Sequence, residues 1–471
     1  MKRVKANLAV VLTVFLCASQ VMAAGSRKPP TMEPPSSTEP TSKPFVLNPD
    51  TLQTQLLDKN FSLVYGATRV HQSRIELDRT RSALLPALKL GFNFLAYGGF
   101  GLVFSSADFL LNFLVPTLWF QNYRQAALLK AEEAAYLTLK LNQYNSGLNL
   151  YFGLQSDIQL RDFLINEVNS ARELEYLAEQ ALQNGYGSEI EVAQAVSQTA
   201  NLEYQLSQTE STLADQFGQA KKMLVIPQAR ELRIENTRLP ESRLENMSLK
   251  QAYETVFEKA PERAQMDQLL KASERNKWAS IFAFIQSFTA SGAQTFNPIS
   301  GRVDGVDTSF DKLTGRGSLD LSFAQFQQIR LTQSEFTEMK LRREELRFEI
   351  ERVVATAIQQ MQLAQRALQN AQVSEERETY VYNLQKDLYA EGRLSFQDLL
   401  LTKTRLQNAT LNRVQAETSV QVIRAAMLRM GLEDRFGRID TCHVSELQER
   451  DFKRLNKGYS VEEICALIKR N

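Results

Sequence analysis

"NGYGSEIEVAQA", Asn184 to Ala195, returns later in the same chain in altered form as "EGRLSFQDLLLT", Glu391 to Thr402. Laid over each other, the stretches share a glycine (Gly185, Gly392) and, three residues on, a serine (Ser188, Ser395). Six residues after each glycine comes an acid, Glu191 or Asp398, followed by an apolar residue, Val192 or Leu399. At the same offset Asn201 meets Asn408. A glycine frees the backbone for a tight reversal. The two stretches, with Gly187 as a further small residue, therefore read as the tips of two helical hairpins.

Working outward, the prolines mark the limits of the helices. After the first fifty residues they stand at Pro86, Pro116, Pro227, Pro240, Pro261 and Pro298, and none follows. Proline interrupts helices, so very long ones fit between Pro116 and Pro227 and again beyond Pro298. "LRREELRFEIERVVATAIQQMQLAQRALQNAQ" is rich in strong helix formers. Its apolar residues Leu346, Ile350, Val353, Ala357, Met361, Ala364 and Leu368 recur at three- and four-residue steps. The spacing predicts helices over Trp119–Leu182 and Gln327–Tyr389, each near 95 Å at the helical rise. Shorter helices follow each tip, over Glu189–Leu224 and Phe396–Met430, and others lie upstream, over Thr51–Leu85 and Ser248–Ser280. Two short helices stacked end to end match one long one.

Between each upstream helix and its long helix the period changes to two. "ALKLGFNFLAY" alternates Leu88, Leu90, Phe92 and Phe94 with polar or small residues. "ADFLLNFLV" sets Phe109, Leu111, Phe113 and Val115 against Asp108 and Asn112. "GSLDLSF" is similar, and "SIFAFIQSF" is the least regular. Alternation marks a half-buried strand, and segments of about ten residues with an apolar outer face suit a transmembrane barrel. A soluble β-meander has the same pattern. Four strands cannot close a barrel, so spanning a membrane requires several chains to pool their strands, and three copies give twelve.

The reading is thus an internal duplication, mainly α with membrane β-strands. Residues 47–226 form the first repeat, with strand pair 87–116 and tip 184–188; residues 248–432 form the second, with strand pair 279–325 and tip 390–395. A linker, 227–247, joins them, and 433–471 is a C-terminal extension.

The start "MKRVKANLAVVLTVFLCASQVMA" has three cations, an apolar run and small residues before a cleavage point after Ala23. It reads as a secretory signal peptide, 1–23, with an N-terminal membrane anchor as the alternative. Residues 24–46, rich in Pro, Ser and Thr, form an extended linker. Beyond the signal peptide two cysteines remain, Cys442 and Cys465. In an exported chain an isolated pair reads as a disulfide, the alternative being two unpaired thiols.

Composition excludes several classes. The 55 basic and 54 acidic residues nearly cancel, unlike the basic excess of a nucleic-acid binder. With only His71 and His443 as histidines, no metal-ligand cluster is expected. Phosphate-loop, HExxH and Gly-x-Ser-x-Gly motifs are missing, so no catalytic residues and no cofactor are expected.

This ordered duplicate resembles the TolC-like outer-membrane efflux family from about Leu47 to Leu432. The resemblance is carried by "RTRSALLPALKL" entering the first strand, "LNFLVPTLW" leaving the second, and the paired tips. It implies a homotrimer with a 12-stranded β-barrel in the bacterial outer membrane, among its lipids, joined to an α-helical barrel crossing the periplasm. A periplasmic adaptor (membrane fusion protein) and an inner-membrane transporter feed such tunnels, in efflux or type I secretion. It further implies that Asp398 rings the closed aperture. A second family acid falls where this chain has Leu401, so the constriction is partly apolar. Glu191 matches the acid after the first tip. Arg393 is the candidate latch to it, one position from the expected place. Three Asp398 carboxylates near one axis would repel one another and favour cations. The plainer reading is that Glu191 and Asp398 start their helices, where acids suit the N-terminal dipole. A periplasmic coiled-coil adaptor or scaffold is the other function class; adaptors carry one hairpin within compact β-domains, not two duplicated ones.

Overall fold

The computed structural model describes residues 44–95, 101–185, 187–292, 314–319 and 322–441. The signal peptide, nearly all of the 24–46 linker, Cys442, Cys465 and the extension beyond 441 lie outside the described residues. The chain divides into a small unit, Met1–Phe45 with Ala229–Glu231, and a second that holds the rest. In the first, Phe45 N donates to Glu231 O at 2.8 Å and Arg230 lies over the Phe45 ring.

The second unit is built from helices α1 (Pro49–Lys59), α2 (Phe61–Ser82), α3 (Pro116–Gln183), α4 (Glu189–Met223), α5 (Leu249–Lys259), α6 (Pro261–Ile281), α7 (Phe323–Ala390) and α8 (Phe396–Gly431). Its longer strands are β1 (Ala87–Leu95), β2 (Gly101–Leu110), β3 (Ile285–Gly292) and β4 (Thr314–Leu319). The duplication holds in register. Pro116 and Phe323, and likewise Gln183 and Ala390, stand 207 positions apart (323 − 116, 390 − 183), so α3 and α7 both have 68 residues. The upstream pairs α1/α5 and α2/α6 begin 200 positions apart (249 − 49, 261 − 61).

The ends of the short helices repeat too. Val225 and Leu432, 207 apart, both adopt left-handed backbone, at φ 53° and 49°. Beyond them Ile226 N donates to Lys221 O at 2.8 Å and Glu433 N to Leu428 O at 2.9 Å. This is a Schellman-type cap built without glycine.

Each upstream helix is broken where a single one was expected. Asn60 ends α1 and caps α2, its Oδ1 accepting from Ser62 N at 2.9 Å and Leu63 N at 3.3 Å. In the second repeat Ala260 leaves helical backbone, at ψ 118°, and Pro261 opens α6. The first break falls against the end of α4. Asn60 Nδ2 donates to Met223 O at 3.0 Å, and Gln55 Nε2 donates to Leu224 O at 2.9 Å. The carbonyls that a helix end leaves without intrahelical partners are satisfied here by side chains from the stacked helix.

The strands also shift from their expected positions. The second ends at Leu110, and Asn112–Leu114 forms a 3₁₀ turn instead of strand. The reason is local. Pro116 takes the first position of α3, and Val115 before it is held extended as the N-cap. In "SIFAFIQSF" the helix runs on to Ile281, Phe282–Phe284 is 3₁₀, and the strand begins only at Ile285. In "GSLDLSF" the strand stops at Leu319, and Phe323 already belongs to α7. The four strands form one antiparallel sheet in the order β1-β2-β3-β4. Ala107–Leu110 pair with Thr289–Gly292, which joins the two repeats, and Ser105 of β2 bulges where the register shifts between Gly91 and Phe92.

Among the described residues, part of the C-terminal extension folds back. Asp434–Thr441 is a 3₁₀ segment whose Phe436 meets Tyr144 of α3, ring centroids 4.8 Å apart. Arg435 grips Asp50 with two bonds, 2.5 and 2.9 Å. The hydrogen bond from Arg435 holds the Asp50 carboxyl below its ordinary value. Such a depressed group stabilises the fold above the unfolded value of about 4, and the contribution is lost as pH falls through the folded value. Asp50 is 65% exposed, so Asp50→Asn should lower stability at pH 7 by less than about 1 kcal/mol. Thermal unfolding of both proteins should give midpoints that differ at pH 7 and converge as pH falls below the ordinary carboxylate value.

Candidate functional site at the hairpin tips

Both tips turn on a glycine with left-handed backbone, Gly185 at φ 81° and Gly392 at φ 70°. At the second, Gly392 N donates to Tyr389 O at 2.9 Å and Arg393 N to Leu388 O at 2.9 Å. At the first, Gly187 N donates to Ala181 O at 2.9 Å. A Cβ on Gly187 would stand 2.7 Å from Leu182 N, so the chain passes too close for any side chain. The matching position at the second tip is Leu394, which packs on an apolar cluster instead.

The acids of the repeated turn are both bound into helix starts. Ser188 Oγ accepts from Glu191 N at 3.3 Å, and Glu191 Oε2 accepts from Ser188 N at 3.2 Å. That is a reciprocal capping box, satisfying two orphan amides at once. At the second tip Ser395 Oγ accepts from Asp398 N at 3.2 Å and donates to Asp398 Oδ2 at 2.6 Å. Among the described ion pairs Arg393 turns to Glu391, at 3.3 Å, rather than to Glu191. Asp398 is exposed and so is Leu401, at 52%. With exposed Arg405 they lie on one flank of α8, at three- and four-residue steps. Leu399 is fully buried between them.

The two tips lie side by side in the chain. Leu174, Ala178 and Ala195 of the first hairpin bury against Tyr382, Phe396 and Leu399 of the second. A cleft of about 450 Å³ between the tips is lined by Glu191 from one and by Glu391 and Leu394 from the other.

Further along the rod from the tips lies a contact that the motif reading missed. Lys403 of α8 and Glu167 of α3 pair at 3.0 Å with only 7% and 9% of their side chains exposed. Ser170 Oγ accepts a second bond from Lys403 at 3.1 Å, and Gln407 donates to the other Glu167 oxygen at 2.7 Å. The ammonium also sits 4.7 Å from the centre of the Tyr382 ring. Three long elements, α3, α7 and α8, meet on one buried charge pair. The signal was present in the pattern. Lys403 falls four residues after buried Leu399, and Glu167 lies between buried Leu164 and Ala171. A charge on an apolar stripe requires a partner.

No protein-family model matches the sequence, and no curated protein does. Solved structures match it over four-fifths or more of its length. The CmeC outer membrane channel of Campylobacter jejuni is 16% identical with a TM-score of 0.64, over 85% of this chain and 90% of that one. The outer membrane protein VceC of Vibrio cholerae is 13% identical with a TM-score of 0.68, over 81% of this chain and 96% of that one. The open state of the MtrE outer membrane channel of Neisseria gonorrhoeae gives 14% and 0.59, over 82% and 88%. The fold is that of the TolC-like outer-membrane channels. Coverage of about nine-tenths of each channel is more than one helical hairpin could account for.

Within this TolC-like fold the Glu167–Lys403 pair joins the two hairpins of one chain. Lys403→Met would strand the Glu167 charge in the interior and should cost about 3–5 kcal/mol, whereas the double substitution Glu167→Leu with Lys403→Met should recover most of the loss. Denaturant unfolding of the two variants, compared with the parent, measures both outcomes.

Proposed function

We propose that the chain is the outer-membrane channel of an export system, three copies forming a twelve-stranded barrel and a helical tunnel through the periplasm. The fold it shares with outer membrane channels supports this reading. The observation that carries it is the sheet. Four strands in the order β1-β2-β3-β4 leave β1 and β4 as open edges among the described residues, ready to pair with the strands of further copies. A second feature agrees. Leu341, Phe348, Leu363, Val373, Tyr380 and Leu384 of α7 are all half or more exposed in the single chain. Gaps of 7, 15, 10, 7 and 4 residues keep them on one flank of the helix. A flank of this kind along a rod calls for a neighbour.

At the far end the exposed flank of Asp398, Leu401 and Arg405 faces outward from the chain's own packing. In a trimer these residues converge on the axis as the gate. Asp398 sets the charge of the constriction and Leu401 narrows it. Glu191 and Arg393 hold neighbouring tips closed, an exposed pairing worth about 0–1 kcal/mol. Adaptor and inner-membrane pump engage this end, and the pump selects the cargo. An adaptor role for the chain itself fits less well, because two hairpins of equal length are joined through one shared sheet.

Two measurements test the reading. Extracted in mild detergent, the protein should scatter light as a trimer; a soluble monomer needing no detergent would falsify the channel. In planar bilayers Asp398→Asn should weaken block by multivalent cations several-fold while assembly is retained, and unchanged block would place the ring elsewhere.

A further inference from the structure

Asn184 caps the end of α3 and Gly185 begins the turn after it, the one Asn–Gly pair in the chain. Both residues are exposed at the tip of the first hairpin. Gly185 has left-handed backbone, and a Cβ placed on it would meet nothing within 4 Å, so the space around it is open. Its amide donates to Leu182 O at 3.1 Å, a contact at the very end of a helix, where local opening costs least.

An open asparagine followed by glycine carries its own reaction. Once released from Leu182 O, the Gly185 nitrogen loses its proton and attacks Cγ of Asn184. A carbon–nitrogen bond forms, the bond from Cγ to the side-chain nitrogen breaks, and ammonia leaves with the proton that Gly185 gave up. Water then opens the five-membered succinimide, its hydroxyl going to a carbonyl carbon and its proton returning to the nitrogen. Attack at Cγ gives aspartate; attack at the backbone carbonyl gives isoaspartate, with the chain running through Cβ. A side chain on the second residue would crowd the approach, and glycine has none. We infer that Asn184 is a site of covalent modification, deamidating in the folded chain to aspartate and isoaspartate.

The fold singles out this asparagine. Asn145 and Asn169 also precede a small residue, serine, but both lie inside α3, where the following amide is bonded to the preceding turn. Asn169 is exposed as well, so access to solvent alone does not distinguish Asn184.

The duplication gives the reaction a consequence. Asn184 corresponds to Glu391 at the 207-residue offset, so deamidation places an acid where the second tip already has one. There Glu391 is paired with Arg393 at 3.3 Å. The residue matching Arg393 is Tyr186, and the last turn of α3 has no basic side chain. The new acid therefore joins Glu189 and Glu191 at the first tip and stands at the negative end of the α3 dipole. Both effects loosen the turn. Neither the reaction nor its effect depends on the channel reading.

Incubate the purified full chain in mild detergent, and a second sample in denaturant, at neutral and at mildly alkaline pH. Tandem mass spectrometry with electron-transfer fragmentation then follows each asparagine and separates aspartate from isoaspartate. In the folded chain Asn184 should gain one mass unit several-fold faster than Asn169, faster at the higher pH, and yield both products. Denaturant should narrow that ratio by freeing the amide after Asn169, and Asn184→Gln should remove most of the gain at the tip. Asn184 that stays intact in the folded chain while reacting in denaturant overturns the site. A ratio that is the same in both states overturns the part assigned to the fold. For the consequence, amide hydrogen exchange at the end of α3 should be several-fold faster in Asn184→Asp, with the turn at Gly392 unchanged; equal exchange in variant and parent overturns the loosening alone.

Discussion

A helix of 68 residues is about 100 Å long, and it persists only if something of the same length lies beside it. Most features of this chain follow from that constraint. No second helix of that length is available within a repeat, so the flank is covered by a stack, α1 and α2 above and α4 below. A stack has a seam, and a seam contains helix ends with unpaired backbone groups. Asn60 and Gln55 satisfy the carbonyls at the end of α4, while left-handed Val225 turns the chain away. Leu432 performs the same turn in the second repeat, where the ion pair of Arg429 with Glu262 at 2.5 Å ties the two stacked pieces together. A β-branched residue such as Val225 takes left-handed backbone at a cost of roughly 1–2 kcal/mol, so the cap geometry there is imposed by the packing around it.

The tips, the long helices and their register were legible because each rests on a strong local rule. Glycine permits the positive φ at 185 and 392, and the absence of proline over long intervals lets helices run. The break at Asn60 was hidden because it uses no proline; asparagine ends one helix and starts the next by hydrogen bonds that only the neighbouring α4 makes worthwhile. The strand ends were misplaced for another reason. Aromatic residues continue past the sheet, from Phe109 to Trp119 and from Phe282 to Phe288, and their alternation looks like strand. Pro116 and the preceding Val115 decide the boundary. At the candidate site the sequence offered both a gate and a pair of helix starts, and the single chain displays the helix starts. Glu191 closes a capping box and Asp398 accepts from the Ser395 hydroxyl, and each carboxylate keeps a further oxygen and remains at least partly open to solvent.

The tips and the buried pair beyond them differ in how firmly they are held. Arg393 with Glu391 is an exposed contact, 71% and 60%, of the kind worth little in water. Lys403 with Glu167 is dry and fully hydrogen-bonded on the carboxylate side. Breaking the first leaves two solvated ions, and breaking the second leaves a buried one. Motion at this end of the rod therefore has a natural limit: the turns are free to move before the hairpins of one chain can part.

The places where the two halves have diverged show how the chain treats its own duplicate. At the 207-residue offset Lys403 corresponds to Val196 and Glu167 to Ser374. Neither Val196 nor Ser374 is covered in the single chain; Val196 is 44% exposed. The buried pair thus fastens α3 of the first repeat to α8 of the second, while at the equivalent positions of α4 and α7 Val196 and Ser374 are open to solvent in the single chain. On the trimeric reading that junction is made between copies, so a ring of six similar hairpins contains two kinds of seam. One is closed by a charge pair that cannot be parted cheaply. The other is lined by Val196, Ser374 and the exposed flank of α7. On that reading the seam within a chain and the seam between copies are built from different chemistry.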